Sequence, residues 1–483
     1  MTRKCLLTLL LAACIGTAWA QEKTPNAWRQ MAIDDLEFIR DTLQAQHPGP
    51  LNTDQPEFNT WLHDGFEQAM GDLDRVRSYG GYRGLVYRYI AGFRDGHLGI
   101  NLHLHYRVGK WPGFMVVWRG EAFEVYHVEP QLDAPAVGDR LLSCDGMDTD
   151  TLWQTRVMPF LGKGIPADRY RRGPELLINH ANPLQNDPES CRFARGDETF
   201  EVSLNWTWPD EGYMDRFRIP ATTGQRNPLE IRELPDGSPW FSIPTFGPSG
   251  DQEVLMKSLM EGLAQYRDRD TFVVDVRGNG GGSSYWAEAF VRGLYGDAFW
   301  EALPSNDEGY AVHRVSPENL AHFENLLPQL AGSSGEDSTF YRYFAALVEG
   351  MRAALADGQG LYEHHFEDEE DGTTEQTGPA TPAFNGRLVF LTDSACGSAC
   401  LDFADVVLQL PNHVHVGHPT SADTIYMEVR GHGLPSLNGR ISFATKFYRN
   451  RLRANNEYYL PSALWTGDIS DTAGLEKWIT GMR

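Results

Sequence analysis

Apolar positions along the chain change period twice. From about residue 24 to 93 they fall at helical spacing: Met31, Leu36, Ile39 and Leu43 share one face. His47-Pro48-Gly49-Pro50 breaks that run. Trp61, Phe66 and Met70 open a second helix, and Tyr82 to Phe93 forms a third. Arg94-Asp95-Gly96-His97 is a turn signal before an alternating strand, Leu98 to Leu104. From Val108 to about Trp208 the period is two. Strands are predicted at Phe114–Trp118, Phe123–Val128 and Arg140–Cys144, with a helix starting near Asp148. A hairpin of Ser190–Arg195 and Thr199–Asn205 follows, turning around Gly196-Asp197. The last half alternates strands and helices. Trp240–Ile243 is a strand, and Asp251–Tyr266 a helix with Leu255, Leu259 and Leu263 on one face. Thr271–Val276 is nearly continuous in apolar residues, as in a strand buried on both faces. A helix with Trp286 and Phe290 comes next. A stretch of roughly 302–384 interrupts the pattern with a helical piece, Phe340–Leu355, and the acidic run Glu367–Gly378. The strand Arg387–Leu391 restores it, followed by Leu401, Ala404, Val407 and Leu408 at helical spacing. The expectation is a multidomain α/β protein: a helical N-terminal domain over 24–102, a β-rich domain over 103–225, and an α/β domain over 226–483 with an insertion at about 302–384.

Composition narrows the partners. The formal net charge of the 483 residues is −24 and no Lys/Arg-rich block occurs. That argues against nucleic acid or an anionic membrane surface as partner. At the N-terminus Arg3 and Lys4 precede an apolar run, Leu6 to Ile15, and Ala18-Trp19-Ala20 supplies small residues at the two positions a signal peptidase reads. This predicts a signal peptide over 1–20 and an exported protein, periplasmic or secreted. Leu11-Ala12-Ala13-Cys14 also has the form of a lipoprotein cleavage box, the competing reading. No later stretch is long and apolar enough to span a bilayer. Cys144, Cys191, Cys396 and Cys400 remain after cleavage, an even number that an oxidising compartment permits to pair as Cys144–Cys191 and Cys396–Cys400.

Chemistry concentrates in Leu391–Asp405, which reads LTDSACGSACLDFAD. A serine opening a helix sits where backbone N–H groups are unpaired and the dipole favours negative charge. That suits a nucleophile whose attack creates an oxyanion. The alternative is an ordinary N-cap. The strand ending at Val276 leads into DVRGNGGG, Asp275–Gly282. It lacks the GxGxxG spacing and the Lys-Ser/Thr of a phosphate loop, so nucleotide binding is discounted. Its glycines can instead direct N–H groups at a ligand, as an oxyanion hole requires. His413, His415 and His418 form an H-x-H-x-x-H run without an evident carboxylate partner. A zinc site there is the weaker reading, and neither metal nor cofactor is predicted.

Motifs then bring in a family. GDRLLSCDGMDTDTL resembles the signature of a PDZ domain, and WPGFM resembles the loop by which such domains hold a peptide carboxylate. The resemblance implies peptide contact at Trp111, Gly113 and Phe114. TFVVDVRGNGGGSS, SACLDFA, VGHPT and FRDGHLGI resemble, in order, four motifs of the C-terminal-processing (tail-specific) serine peptidases and their tricorn-core relatives. The fold this implies for the catalytic domain is a crotonase-like α/β spiral. Many members use a Ser–Lys dyad, but Asp423 stands at the lysine position and no lysine lies between Ser398 and Lys446. The tricorn-type branch uses Ser, His and Glu. By that resemblance Ser398 is the nucleophile, His97 the base and Glu457, in NNEYYLPS, the orienting carboxylate; Asp423 is a second candidate. Ala399 N–H with Gly281 or Gly282 N–H would bind the oxyanion. The implied activity is peptide-bond hydrolysis on a peptide or protein substrate by an exported serine endopeptidase. Leu401, where the family has an acidic residue, and the altered Glu457 segment keep open an inactive peptide-binding protein on the same scaffold.

Overall fold

The computed structural model describes residues 24–102, 109–210, 212–222, 227–304, 309–365 and 380–482. The leader, Cys14 and the acidic run Glu367–Gly378 lie outside them. Strands are numbered in chain order. One sheet contains β1 (Gly99–Leu102), β11 (Tyr310–Arg314), β12 (Leu361–His364), β15 (Tyr426–Gly433) and β16 (Gly439–Arg449). Its order is β1-β16-β11-β12, with β15 also paired to β16. A second holds β2 (Phe114–Trp118), β3 (Phe123–Val128), β4 (Arg140–Cys144), β6 (Ser190–Arg195) and β7 (Glu198–Ser203) in that order, with β5 (Met147–Asp148) paired to β4. The third runs β17-β14-β13-β10-β9-β8, from β8 (Glu230–Glu233), β9 (Pro239–Ser242), β10 (Thr271–Asp275), β13 (Arg387–Thr392), β14 (His413–Gly417) and β17 (Ala463–Leu464). All its pairings are parallel except β8 with β9. The molecule is thus a multidomain α/β protein with a helical N-terminal region.

The third sheet carries the chemistry, and its apolar runs explain why. Val273 sits in register with Val389 and Trp240, and both faces of β10 are covered. Phe272, Val274, Leu388 and Phe390 meet the helices Asp251–Glu261, Tyr285–Tyr295 and Ala399–Val407 through Met256, Met260, Phe290 and Phe403. Val273, Val389 and Val416 face the last helix, Thr472–Thr480, through Leu475 and Ile479. One detail differs from expectation. Met256, Met260 and Leu263 point inward, while Leu255 is 43% exposed. Met256, Met260 and Leu263 lie at ordinary helical spacing, so the buried stripe runs one position along from Leu255.

The N-terminal helices Pro25–Gln46, Pro56–Gly71 and Tyr79–Ala91 bury Leu36, Ile39, Leu43 and Leu85 in a core shared with Val312, Ile441, Phe443 and Phe447 of the first sheet. The 302–384 stretch therefore contributes two strands to that sheet. It also contributes the helices Pro317–Ser334 and Thr339–Ala356, packed on each other through Phe323, Leu347 and Met351. In the second sheet Cys144 and Cys191 are register partners of β4 and β6 and form a disulfide; Cys396 and Cys400 form another.

Candidate active site

β10 and β13 end side by side, and both loops that follow are locked. Asp275 accepts hydrogen bonds from Arg277 N (3.0 Å), Nε (2.9 Å) and Nη2 (2.7 Å), and from Asn227 Nδ2 (3.0 Å) and Trp240 Nε1 (3.2 Å). Arg277 also donates to Ile469 O at 2.7 Å. Both charges are buried, and breaking such a pair costs about 3–5 kcal/mol. The pair fixes where the glycines begin. Asn279 Oδ1 then accepts from Gly281 N at 2.9 Å, and its Nδ2 donates to Ile243 O at 3.0 Å. Asp393 joins the two loops, accepting from Gly278 N and Ala395 N, each at 2.9 Å.

Ser398 opens the helix Ala399–Val407 with φ 55° and ψ −129°, a backbone conformation rare for a side chain with a Cβ. It is half-buried, its side chain caps nothing, and Oγ has no hydrogen-bond partner among the described residues. Gly281 lies against it at φ 105°; a Cβ there would come 2.7 Å from Ser398 Cβ and 2.8 Å from Gly397 O. Gly281→Ala is therefore expected to cost about 1–3 kcal/mol of stability and to lower hydrolytic activity with it. A thermal melt read beside an activity assay checks this, and an unchanged variant would show the contact to be slack. Of the two glycines named for an oxyanion hole, Gly281 has its N–H committed to Asn279. Gly282 N–H and Ala399 N–H have no partner among the described residues, and both residues line a cavity of about 430 Å³ with Ser398, Lys446, Tyr448 and Arg451.

His97 is held from behind. Its N–H donates to Asp95 Oδ1 at 2.8 Å, and Thr424 Oγ1 donates to the same oxygen at 2.8 Å. The buried His47 ring, stacked on Phe58, brings Nε2 to 3.3 Å from Asp95 Oδ2. The sequence reading took HPGP only as a helix breaker, and a buried imidazole beside a turn leaves no periodic signal. His97 Nδ1 lies 3.4 Å from Asp423 Oδ1, and the His97 side chain is 15% exposed. Asp423 is itself 3.5 Å from Arg453 Nη2 and 3.9 Å from Arg451 Nη2. Burial raises its carboxyl above the usual range, against the pull of His97, Arg451 and Arg453. Ser421 N donates to Cys396 O at 3.0 Å, which ties the Asp423 segment to the Ser398 loop.

Glu457 lies elsewhere. Its backbone bridges Asp423, but its carboxylate is exposed and accepts from Ala454 N at 2.6 Å. The carboxylate brought to His97 is its neighbour's across that bridge. Among the described residues no hydrogen bond joins Ser398 Oγ to His97. Asp402, next to Leu401, links Ser284 Oγ (2.6 Å), Arg451 (2.7 Å) and Arg453 (2.9 Å).

The expected carboxylate-holding loop is differently disposed. Trp111 and Phe114 are each 2% exposed, inside the core rather than facing a ligand. Trp111 N donates to Thr207 O at 2.9 Å, and Gly113 O accepts from Glu129 N at 2.8 Å. Gly113 N–H has no partner among the described residues.

The three histidines of the H-x-H-x-x-H run take separate partners. His413 Nδ1 is 2.8 Å from Leu410 O, His415 Nε2 is 2.8 Å from Thr392 Oγ1, and His418 packs tilted against Tyr170 with ring centroids 4.2 Å apart. Burial pushes His415 down to about 4 and His418 to about 3. Below the ordinary histidine value the unfolded chain takes up protons that the folded chain refuses, so stability falls as pH falls. Each should cost on the order of 2 kcal/mol between pH 7 and pH 5. A melting temperature unchanged over that interval would contradict it.

Residues 241–433 match the model of peptidase family S41. The crystal structure of mature CPAF has the same fold at 15% sequence identity, covering 94% of this chain and 98% of that chain with a TM-score of 0.58. Mature CPAF complexed with lactacystin aligns at 16% identity over 94% of this chain and 99% of that chain, with a TM-score of 0.59. The comparison with curated proteins gives no match. Over residues 241–433 the chain belongs to peptidase family S41, the C-terminal-processing serine peptidases.

Proposed function

We propose that this peptidase is an exported endopeptidase in which Ser398 attacks the scissile carbonyl, His97 is the general base and Asp423, rather than Glu457, orients His97. The observation that carries the reading is Ser398 itself: a strained, uncapped serine at a helix start, facing two open N–H groups. In the forward step Ser398 Oγ bonds to the carbonyl carbon and its proton passes to His97. The oxyanion is held by Ala399 and Gly282 N–H, each donor contributing about 2.7–4 kcal/mol in the transition state. Collapse expels the amine, which takes the proton from His97; water, activated by the same base, then releases the acyl group. Asp423 Oδ1 accepts a hydrogen bond from His97 Nδ1–H, fixing the tautomer that leaves Nε2 free. Its 3.4 Å separation is long for that hydrogen bond, and closure around substrate would shorten it.

We read the parallel sheet and its helices as the family's crotonase-like spiral within 226–483, the 24–102 helices as its support, and 103–225 as a PDZ-like module that presents a peptide. In that module Gly113 N–H is the open contact, while Trp111 and Phe114 brace the strand from inside. Two disulfides suit an oxidising compartment and support export.

A second reading, a non-catalytic peptide binder on the same scaffold, is favoured by the missing hydrogen bond between Ser398 and His97. A fluorophosphonate probe separates the two. Labelling at Ser398, lost in His97→Ala, is expected of the enzyme; no labelling from mildly acidic to mildly basic pH would favour the binder.

A further inference from the structure

A cavity of about 1290 Å³ opens between the N-terminal helices, β1 and the β-rich domain, and shares no wall residue with the Ser398 cleft. It exceeds the about 300–1,000 Å³ usual for a small-molecule pocket. Its wall is basic in a chain whose net charge is −24. Arg77, Arg83, Lys110 and Arg172 line it, and among the described residues none has a carboxylate within ion-pair distance. The wall's own acids are taken: Glu175 by Arg218 and by His180 at 2.7 Å, Asp187 by Arg156 at 3.0 Å. Arg83 instead lies 4.5 Å over the Tyr87 ring, and Lys110 5.7 Å over Trp208, which is 48% exposed. Burial and the neighbouring charges of Arg172, Arg83 and Arg171 push Arg218 down to about 10. Burial lowers Arg172 as well, against the pull of Asp168 and with a smaller push from Arg83. Cations crowded in this way repel one another until an anion joins them.

From the size of the cavity and the unneutralised charge on its wall we infer that it binds an extended acidic peptide segment. Carboxylates of the segment pair with the Arg83 and Arg172 guanidiniums, whose planar forks accept them two-pronged. A long polyanion such as nucleic acid fits poorly, because the rest of the chain repels it. Outside the cavity, Lys163 Nζ lies 3.2 Å from where a Cβ on Gly96 would sit, one residue before His97, and among the described residues has no carboxylate within ion-pair distance. What the site serves, recruitment of acidic substrates, rests on the peptidase reading; the binding itself does not.

The test uses the full chain carrying Ser398→Ala, so that nothing is cleaved and a failure of binding is separate from a failure of catalysis. Fluorescence anisotropy with a labelled oligoglutamate peptide should show binding that weakens with salt, and a neutral Gly-Ser peptide of equal length should not bind. Arg172→Gln and Arg83→Gln should each weaken the affinity about tenfold. Neither should lower the melting temperature, since each relieves a repulsion. Absence of oligoglutamate binding would overturn the proposal, as would undiminished binding by both variants. So would polyphosphate of matched charge binding as tightly, which marks a general anion site, or a drop in melting temperature for Arg172→Gln, which marks a structural arginine.

Discussion

Ser398→Ala is expected to lower kcat for peptide hydrolysis on the order of 10⁶-fold, the size of effect seen when a serine peptidase loses its nucleophile. The fold should not change. Ser398 Oγ makes no hydrogen bond among the described residues and caps no helix N–H, so its removal takes no structural contact away. Alanine also keeps the Cβ at a backbone position with φ 55°, so strain is neither added nor relieved. The measurement is a peptidase assay beside a thermal melt and a circular dichroism spectrum. A variant that keeps more than a trace of activity with an intact fold would remove Ser398 from the mechanism and leave the N-cap reading standing.

The second large effect concerns the carboxylate. Asp423→Asn should reduce kcat about 10⁴-fold, because an amide in that place stabilises the wrong histidine tautomer and offers no charge to the imidazolium. Glu457→Gln should change kcat little, since its carboxylate is spent on Ala454 N–H at the surface. Asp423 also faces Arg453 and Arg451, so a structural loss has to be told apart from a catalytic one. A thermal melt and the split between kcat and KM do this. Loss of an orienting carboxylate should lower kcat with the melting temperature and KM kept. A misfolded variant would lose its melting transition along with its activity. Should Glu457→Gln prove the damaging change and Asp423→Asn the mild one, the assignment is reversed.

Much of this protein was legible before any fold was known. Thr271–Val276 announced a strand buried on both faces, because such a strand has no polar alternation to show, and Arg387–Leu391 a short apolar strand that proves to pair with it in parallel. Met31, Leu36, Ile39 and Leu43 marked the inward face of the first helix at the right period. The Asp275-Val276-Arg277-Gly278-Asn279 run could be recognised as a motif but not explained. Its aspartate and arginine turn out to be a buried brace, and its asparagine occupies the Gly281 N–H that had been one of two choices for the oxyanion. Leu255 was misplaced because the apolar methionines Met256 and Met260, one position along, form the inward stripe with Leu263. The β15–β16 hairpin was not read at all, and the strands of the 302–384 stretch were taken for part of an insertion. Their partners are β1 and each other, pairings that local pattern cannot reveal.

By itself the sequence determined the kinds of element, the family motifs and the chemistry-bearing side chains, since these depend on neighbours a few positions away. The tertiary structure alone decided which carboxylate meets His97, which glycine N–H stays open and which cations lack partners. Each of those depends on residues brought together from distant parts of the chain, where one step along a strand or bridge turns a side chain from one face to the other.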